Sequence, residues 1–206
     1  MNEDHRGIIF IVDISGYSRF VSETDNESGS MIVRSLLESI IRANVLAFHI
    51  SEMEGDAILF YRHGPAVPVR EILSQFEEML GSFRNKLKGF SEQFPLTKDL
   101  SIKLVVHYGI IGGFSLGSYS KLFGQAVVEA HRLLKNSIST HTYVLISKAY
   151  LEEQNTADPE DAAQGAAVCE LYDVGQLCYT YFDYPLDTMS FQANPPEPCD
   201  PLIINS

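Results

Sequence analysis

Two carboxylates stand where a protein builds a divalent-cation site. Asp13 follows the apolar, β-branched run at 7–12 (GIIFIV), and Asp56 lies in the tight turn Glu54-Gly55-Asp56. A carboxylate pair with few other protein ligands holds Mg2+ or Mn2+ while substrate phosphates complete the octahedron. After Asp13, the residues Ile14, Ser15, Gly16, Tyr17 and Ser18 offer successive backbone N–H groups to an anion, as a nest or helix N-terminus does. Each feature alone has a plain structural use: an Asp after a strand is a turn or N-cap residue, and a Gly-Asp hairpin needs no metal. Their combination in one β-α-β-β unit is what points to chemistry. His107 and Tyr108 read as packed or hydrogen-bonded strand residues, and His131 has no legible acid–nucleophile partner. Gly109, Gly112, Gly113 and Gly117 match neither a G-x-G-x-x-G nor a Walker pattern.

The elements that must position these residues follow from periodicity. The run at 7–12 reads as a central strand, and helical spacing of apolar residues covers 28–42. Strands are predicted at 45–52 and 57–62, joined by the hairpin at 54–56. Val69, Ile72, Phe76, Leu80, Phe83 and Leu87 mark an amphipathic helix closed by Gly89. A strand at 101–111, a glycine-rich stretch at 112–124, a helix at 125–135 and a strand at 143–147 leading into a short helix come next. Residues 152–167 read as an acidic loop, and 168–184 as a hairpin turning near Gly175-Gln176. The order predicts an α+β fold: a ferredoxin-like βαββαβ core with a C-terminal β-hairpin and helices over one sheet face. Residues 1–184 form one domain in this reading, and 185–206 a Pro-rich, acidic tail lying on the surface.

Composition narrows the function. The 206 residues, 45% hydrophobic and 20% charged, suit a globular domain with a core. There is no stretch of eighteen apolar residues, so a membrane span is excluded, and the polar start MNEDHRG is unlike a signal peptide. Cys169, Cys178 and Cys199 are too few for a disulfide framework and read as small apolar residues, which places the chain in a reducing cytoplasm. The net charge is −12, and after Lys148 there are eleven acids and no base. Such a surface repels phosphate backbones, which argues against nucleic acid as a partner.

Four segments carry a family resemblance. Phe10-Ile11-Val12-Asp13-Ile14-Ser15-Gly16-Tyr17-Ser18 resembles the F-x-D-I-x-G-F-T opening of class III nucleotidyl cyclases, and Glu54-Gly55-Asp56-Ala57 resembles their G-D-A turn. The segment IKLVVHYG at 102–109 is similar to their strand ending in H-x-G. Phe123-Gly124-Gln125-Ala126-Val127, with Ala130 and Arg132, is similar to their W-G-x-x-V-N-x-A-x-R helix. The likeness runs from 7 to 184, and E-G-D-A-I-L-F-Y-R with H-R-L-L-K-N resembles an uncharacterised bacterial branch.

The resemblance implies a head-to-tail homodimer with sites at the interface. Asp13 and Asp56 would hold two Mg2+ or Mn2+ ions on a nucleoside triphosphate, and the ribose 3′-hydroxyl would attack the α-phosphorus and expel pyrophosphate. Arg132 matches the arginine that stabilises the transition state. Glu52 and Lys121 fall on the two base-reading positions. Glu52 is guanine-like, which favours guanine or a pyrimidine over adenine, whereas Lys121 suits neither known set and can simply pair with Glu52. The ribose-orienting Asn falls on Val128, and the triphosphate Lys expected near Gly175 has no basic counterpart. These departures leave three readings open: a cyclase, a catalytically inactive cyclase-fold module that senses a nucleotide or metal, or a plain dimerisation domain if nothing binds.

Overall fold

The computed structural model describes residues 5–157, 167–185 and 192–193. In chain order its elements are β1 (His5–Ser15), α1 (Tyr17–Glu23), α2 (Asn26–Arg42), β2 (His49–Glu54), β3 (Ala57–His63) and α3 (Val69–Lys88). A short 3-10 helix (Pro95–Asp99) precedes β4 (Ser101–Leu116), β5 (Tyr119–Phe123), α4 (Gln125–Leu133) and β6 (Tyr143–Ser147). The chain continues through α5 (Lys148–Ala157), β7 (Val168–Tyr172), β8 (Gly175–Asp183) and β9 (Gln192–Ala193). The sheet order is β2-β3-β1-β4-β6-β8-β7, with β5 attached to β4 and β9 to β8. Among the described residues only β4 and β6 run parallel; the other pairs are antiparallel. The first four strands have the split βαββαβ order, so β1 and β3 are neighbours as expected.

Alternation along β1 divides the molecule into two layers. Ile8, Phe10, Val12 and Ile14 face α2, α3 and α5, where Ile32, Leu36, Phe76, Phe83 and Tyr150 close the larger core. Ile9 and Ile11 face the other way, against Ala126, Val127 and Ala130 of α4. This corrects the expectation that the helices share one face, because α4 crosses to the opposite side. It approaches the sheet closely where Gly109 lies beneath it: a Cβ there would meet the Ala126 Cβ at 2.8 Å.

Six further differences are local. Helix α1 spans only seven residues and is held by Phe20 in the core rather than by intrinsic propensity. Strand β2 starts at His49 and not at 45, because Asn44 hydrogen-bonds both the N–H and the carbonyl of Phe48 and buried Gln75 accepts from the Leu46 N–H. The glycine-rich stretch is ladder rather than loop: residues 112–116 pair with β5 through a turn at Gly117, whose φ is +62°. Residues 152–157 belong to α5, and the C-terminal hairpin turns at Asp173-Val174, two residues before the expected Gly175-Gln176. Cys169 and Cys178, expected as separate apolar residues, face each other across β7 and β8 and form a disulfide. Residues 158–166, expected as part of an acidic loop, and most of the expected tail lie outside the described residues. Among the described residues no helix is long and apolar enough to cross a membrane.

Candidate nucleotide and metal site

Directly opposed residues of adjacent strands share a face. Asp13 is opposite Ala57 on one side and Lys103 on the other, all on the face that α4 covers further along. The turn carrying Asp56 is tied to β1 by the Ile14 N–H, which donates to the Asp56 carbonyl at 3.3 Å. Gly55 makes this turn possible with φ +61°. The two predicted carboxylates are thus brought together. Burial, then the neighbouring Asp13 charge, push the Asp56 carboxyl above its ordinary value.

A third charge sits with them. Lys103 Nζ lies 3.0 Å from Asp13 Oδ2, with both side chains about one-fifth exposed. Burial draws its pKa down, but Tyr143, Asp13 and Asp56 outweigh this and hold the ammonium above its usual value. Sequence reasoning missed this residue. The signal available was a lysine inside an otherwise apolar strand, Ser101-Ile102-Lys103-Leu104-Val105-Val106.

The loop after Asp13 is only partly open. Ile14 is buried, and the Ser15 hydroxyl donates to the His141 carbonyl at 2.8 Å. Gly16 adopts φ +83° at the start of α1, where a Cβ would meet the Asp99 carbonyl oxygen at 2.7 Å. Gly16 and Ser18 are exposed and Tyr17 half-buried.

Glu52 reaches this face because of a bulge. The β2–β3 register slips between Ile50 and Glu52, so Glu52 opposes Leu59 rather than Ile58 and turns from the main core toward β5. There Lys121 Nζ stands 2.7 Å from Glu52 Oε2 and 3.6 Å from Glu54 Oε1. Glu52 and Glu54 raise the Lys121 pKa. The two predicted base-reading residues therefore meet as an ion pair.

On α4, Arg132 makes a bidentate pair with Asp173 of the β7–β8 turn, Nε and Nη2 each donating at 2.6 Å. That turn is where the resemblance calls for a cation, and it holds an acid. Val128, in the place of the ribose-orienting Asn, is exposed. Beside it, His107 links α4 to the sheet, with Nε2 2.9 Å from Glu129 Oε2 and Nδ1 2.9 Å from Ser147 Oγ. The carboxylate can only accept, so Nε2 carries the proton. The order Ser–His–Glu has the composition of a nucleophilic triad, but His107 and Ser147 are each only 2% exposed. No substrate reaches that serine, and the relay anchors α4.

The divalent ion that the sequence resemblance implies makes demands on its donors. Among the described residues no cluster of three or more His, Cys, Asp or Glu side chains converges. Two half-buried carboxylates at adjacent strand ends suit Mg2+ or Mn2+, hard cations that keep waters and take phosphate oxygens. They do not suit zinc, which favours four nitrogen or sulfur ligands. The residues present fit the group.

A family model, DUF2652, described as a protein of unknown function, matches residues 33–143, more than half of the chain. The chain belongs to the DUF2652 family. An uncharacterized Mycobacterium tuberculosis protein, Rv2561/Rv2562, is 28% identical over 119 residues, 54% of this chain and 55% of the relative. The chain therefore spans about half the length of that curated relative. Among solved structures, the guanylyl cyclase Cya2 superimposes with a TM-score of 0.68 at 16% identity, covering 86% of this chain and 91% of that one. The adenylyl cyclase CyaB from P. aeruginosa gives 0.64 at 16% identity, covering 91% and 99%. At these identities the likeness is one of fold, and this DUF2652 member has the fold of class III nucleotidyl cyclase catalytic domains.

Proposed function

We propose that the chain is a homodimeric cyclase-like domain that binds a nucleoside triphosphate with Mg2+ or Mn2+ and forms a 3′,5′-cyclic nucleotide, releasing pyrophosphate. The observation that carries this reading is the convergence of Asp13, Asp56 and Lys103 on one sheet face. Asp13 and Asp56 would hold the metal, which when bound supplies charge neutralisation at the phosphates and a more acidic hydroxyl. Lys103 would meet the triphosphate as a point charge. The exposed backbone at Gly16, Tyr17 and Ser18 would face the same anion. Arg132 would stabilise charge at the α-phosphorus once it leaves Asp173, a solvent-exposed pair that water screens. Guanine or a pyrimidine remains the favoured base, read by Glu52 where Lys121 leaves it free. A nucleoside triphosphate as ligand places the domain in the cytoplasm, in a signalling role. The Cys169–Cys178 disulfide is a bond that a reducing cytoplasm does not favour, and it counts against that placement.

Specific observations favour a second reading, a silent nucleotide- or metal-sensing dimer. Arg132 is held by Asp173, Lys121 is held by Glu52, and Val128 has no hydrogen-bonding group. One experiment separates the two. Incubation with ATP, GTP, CTP and UTP plus Mn2+, read by mass spectrometry with Asp56→Ala as control, yields a cyclic product lost in the variant if the chain is a cyclase. Binding without turnover selects the sensor, and absence of both ends the nucleotide reading.

A further inference from the structure

We propose that Lys103 is an internal competitor for the metal: its ammonium neutralises Asp13 in the metal-free chain and must be displaced before a divalent cation can bind. The inference rests on the metal reading above but concerns a residue that this reading does not need in order to hold the ion.

The geometry is direct. Asp13 and Lys103 are cross-strand partners in β1 and β4, so their Cα positions are fixed by the ladder and not by mobile loops. Lys103 Nζ approaches Asp13 Oδ2 to 3.0 Å, and neither side chain is more than about one-fifth exposed. Water therefore screens the pair less than it would a surface ion pair. A divalent ion bound by Asp13 would need that same oxygen or its partner, and would bring two further positive charges beside the ammonium. Both cations cannot keep short contacts to one carboxylate without strong repulsion. The lysine stem has four rotatable carbons, so the head group can swing while the backbone stays paired.

Two consequences follow. Metal alone binds weakly, because the entering ion must break an existing pair. Metal together with a polyphosphate binds well, because the displaced ammonium finds a new anion. The two ligands are then positively coupled through Lys103, and by linkage each raises the affinity for the other equally. Lys103 in this account is not a metal ligand: it exchanges Asp13 for the polyphosphate as its anionic partner when the cation enters.

The test uses Mn2+ alone, read by electron paramagnetic resonance and calorimetry, on the full chain and on Lys103→Met, which keeps the stem and removes the charge. The variant should bind Mn2+ about ten-fold more tightly, inside the 5–150-fold range of coupled sites. Inorganic tripolyphosphate should raise Mn2+ affinity in the native chain and do so much less in the variant. Equal or weaker Mn2+ binding by a folded Lys103→Met, with Asp13→Asn still abolishing binding, overturns the competitor role and leaves the metal site standing. Loss of fold in Lys103→Met is controlled by Lys103→Gln, judged by the same two measurements. No Mn2+ binding by any form, with or without tripolyphosphate, removes the metal reading and this inference with it.

Discussion

At the scale of single residues, the candidate site holds an ionisable group at a cost in stability. Burial and the Asp13 charge raise the Asp56 carboxyl above its ordinary value of 3.8. The folded chain therefore holds that proton more tightly than the unfolded chain, and stability falls as pH rises from about 3.8 through the raised value. At neutral pH the ionised group is a standing cost, which Asp56→Asn lacks. The variant should be more stable than the native chain at pH 7 by roughly 0.5 kcal/mol, allowing for solvent screening. In thermal melts the difference should close below about pH 4. Asp13 and Asp56 were legible because strand-end and turn chemistry are local. Lys103 was not, because its meaning depends on register with a strand ninety positions earlier in the chain. The Arg132–Asp173 contact was hidden for the same reason.

At the scale of elements, a buried carboxylate locks the C-terminal hairpin. Glu170 on β7 is 6% exposed and accepts from the Ser137 N–H and hydroxyl and from the Tyr172 and Tyr179 hydroxyls. Burial pushes this carboxyl up, but those donors outweigh it, and the net direction is down from 4.5. The stabilisation is thus complete above about pH 4.5 and is lost as pH falls through the depressed value. Glu170→Gln keeps the shape but removes acceptor capacity, which leaves buried hydroxyls unpartnered at a cost of about 2 kcal/mol. Chemical denaturation at pH 7 should show that loss, and a smaller one near pH 3. The strands and long helices were readable because their apolar periodicity is strong. Helix α1 was not, since its seven residues are ordered by the core that Phe20 enters. The β4–β5 extension was read as loop because its glycines mask a ladder that only pairing reveals.

At the scale of the whole molecule, the β4–β5 extension leaves large apolar groups uncovered. Phe114, Leu116, Tyr119 and Phe123 are between 50% and 78% exposed, and a two-stranded extension gains little stability alone. The proposed homodimer would give these side chains a burial partner. Sedimentation of the native chain at micromolar concentration should report a dimer, and Leu116→Asp with Tyr119→Asp should shift it to monomer with the circular dichroism spectrum unchanged. A monomeric native chain would remove the dimer from the reading. The fold class was legible from element order alone, whereas the side of the sheet on which α4 lies was not, because a helix with an apolar stripe packs equally well on either.

The close approach of α4 to the sheet makes Gly109 a spacer of zero thickness between two layers. One methyl group inserted there collides with Ala126 and must lift or tilt the helix, and Arg132 rides on that helix two turns away. The distance between the guanidinium and the Asp13 face is thus governed by an atom the chain does not have. Tolerance to substitution at this position therefore measures how finely the molecule needs its two faces aligned.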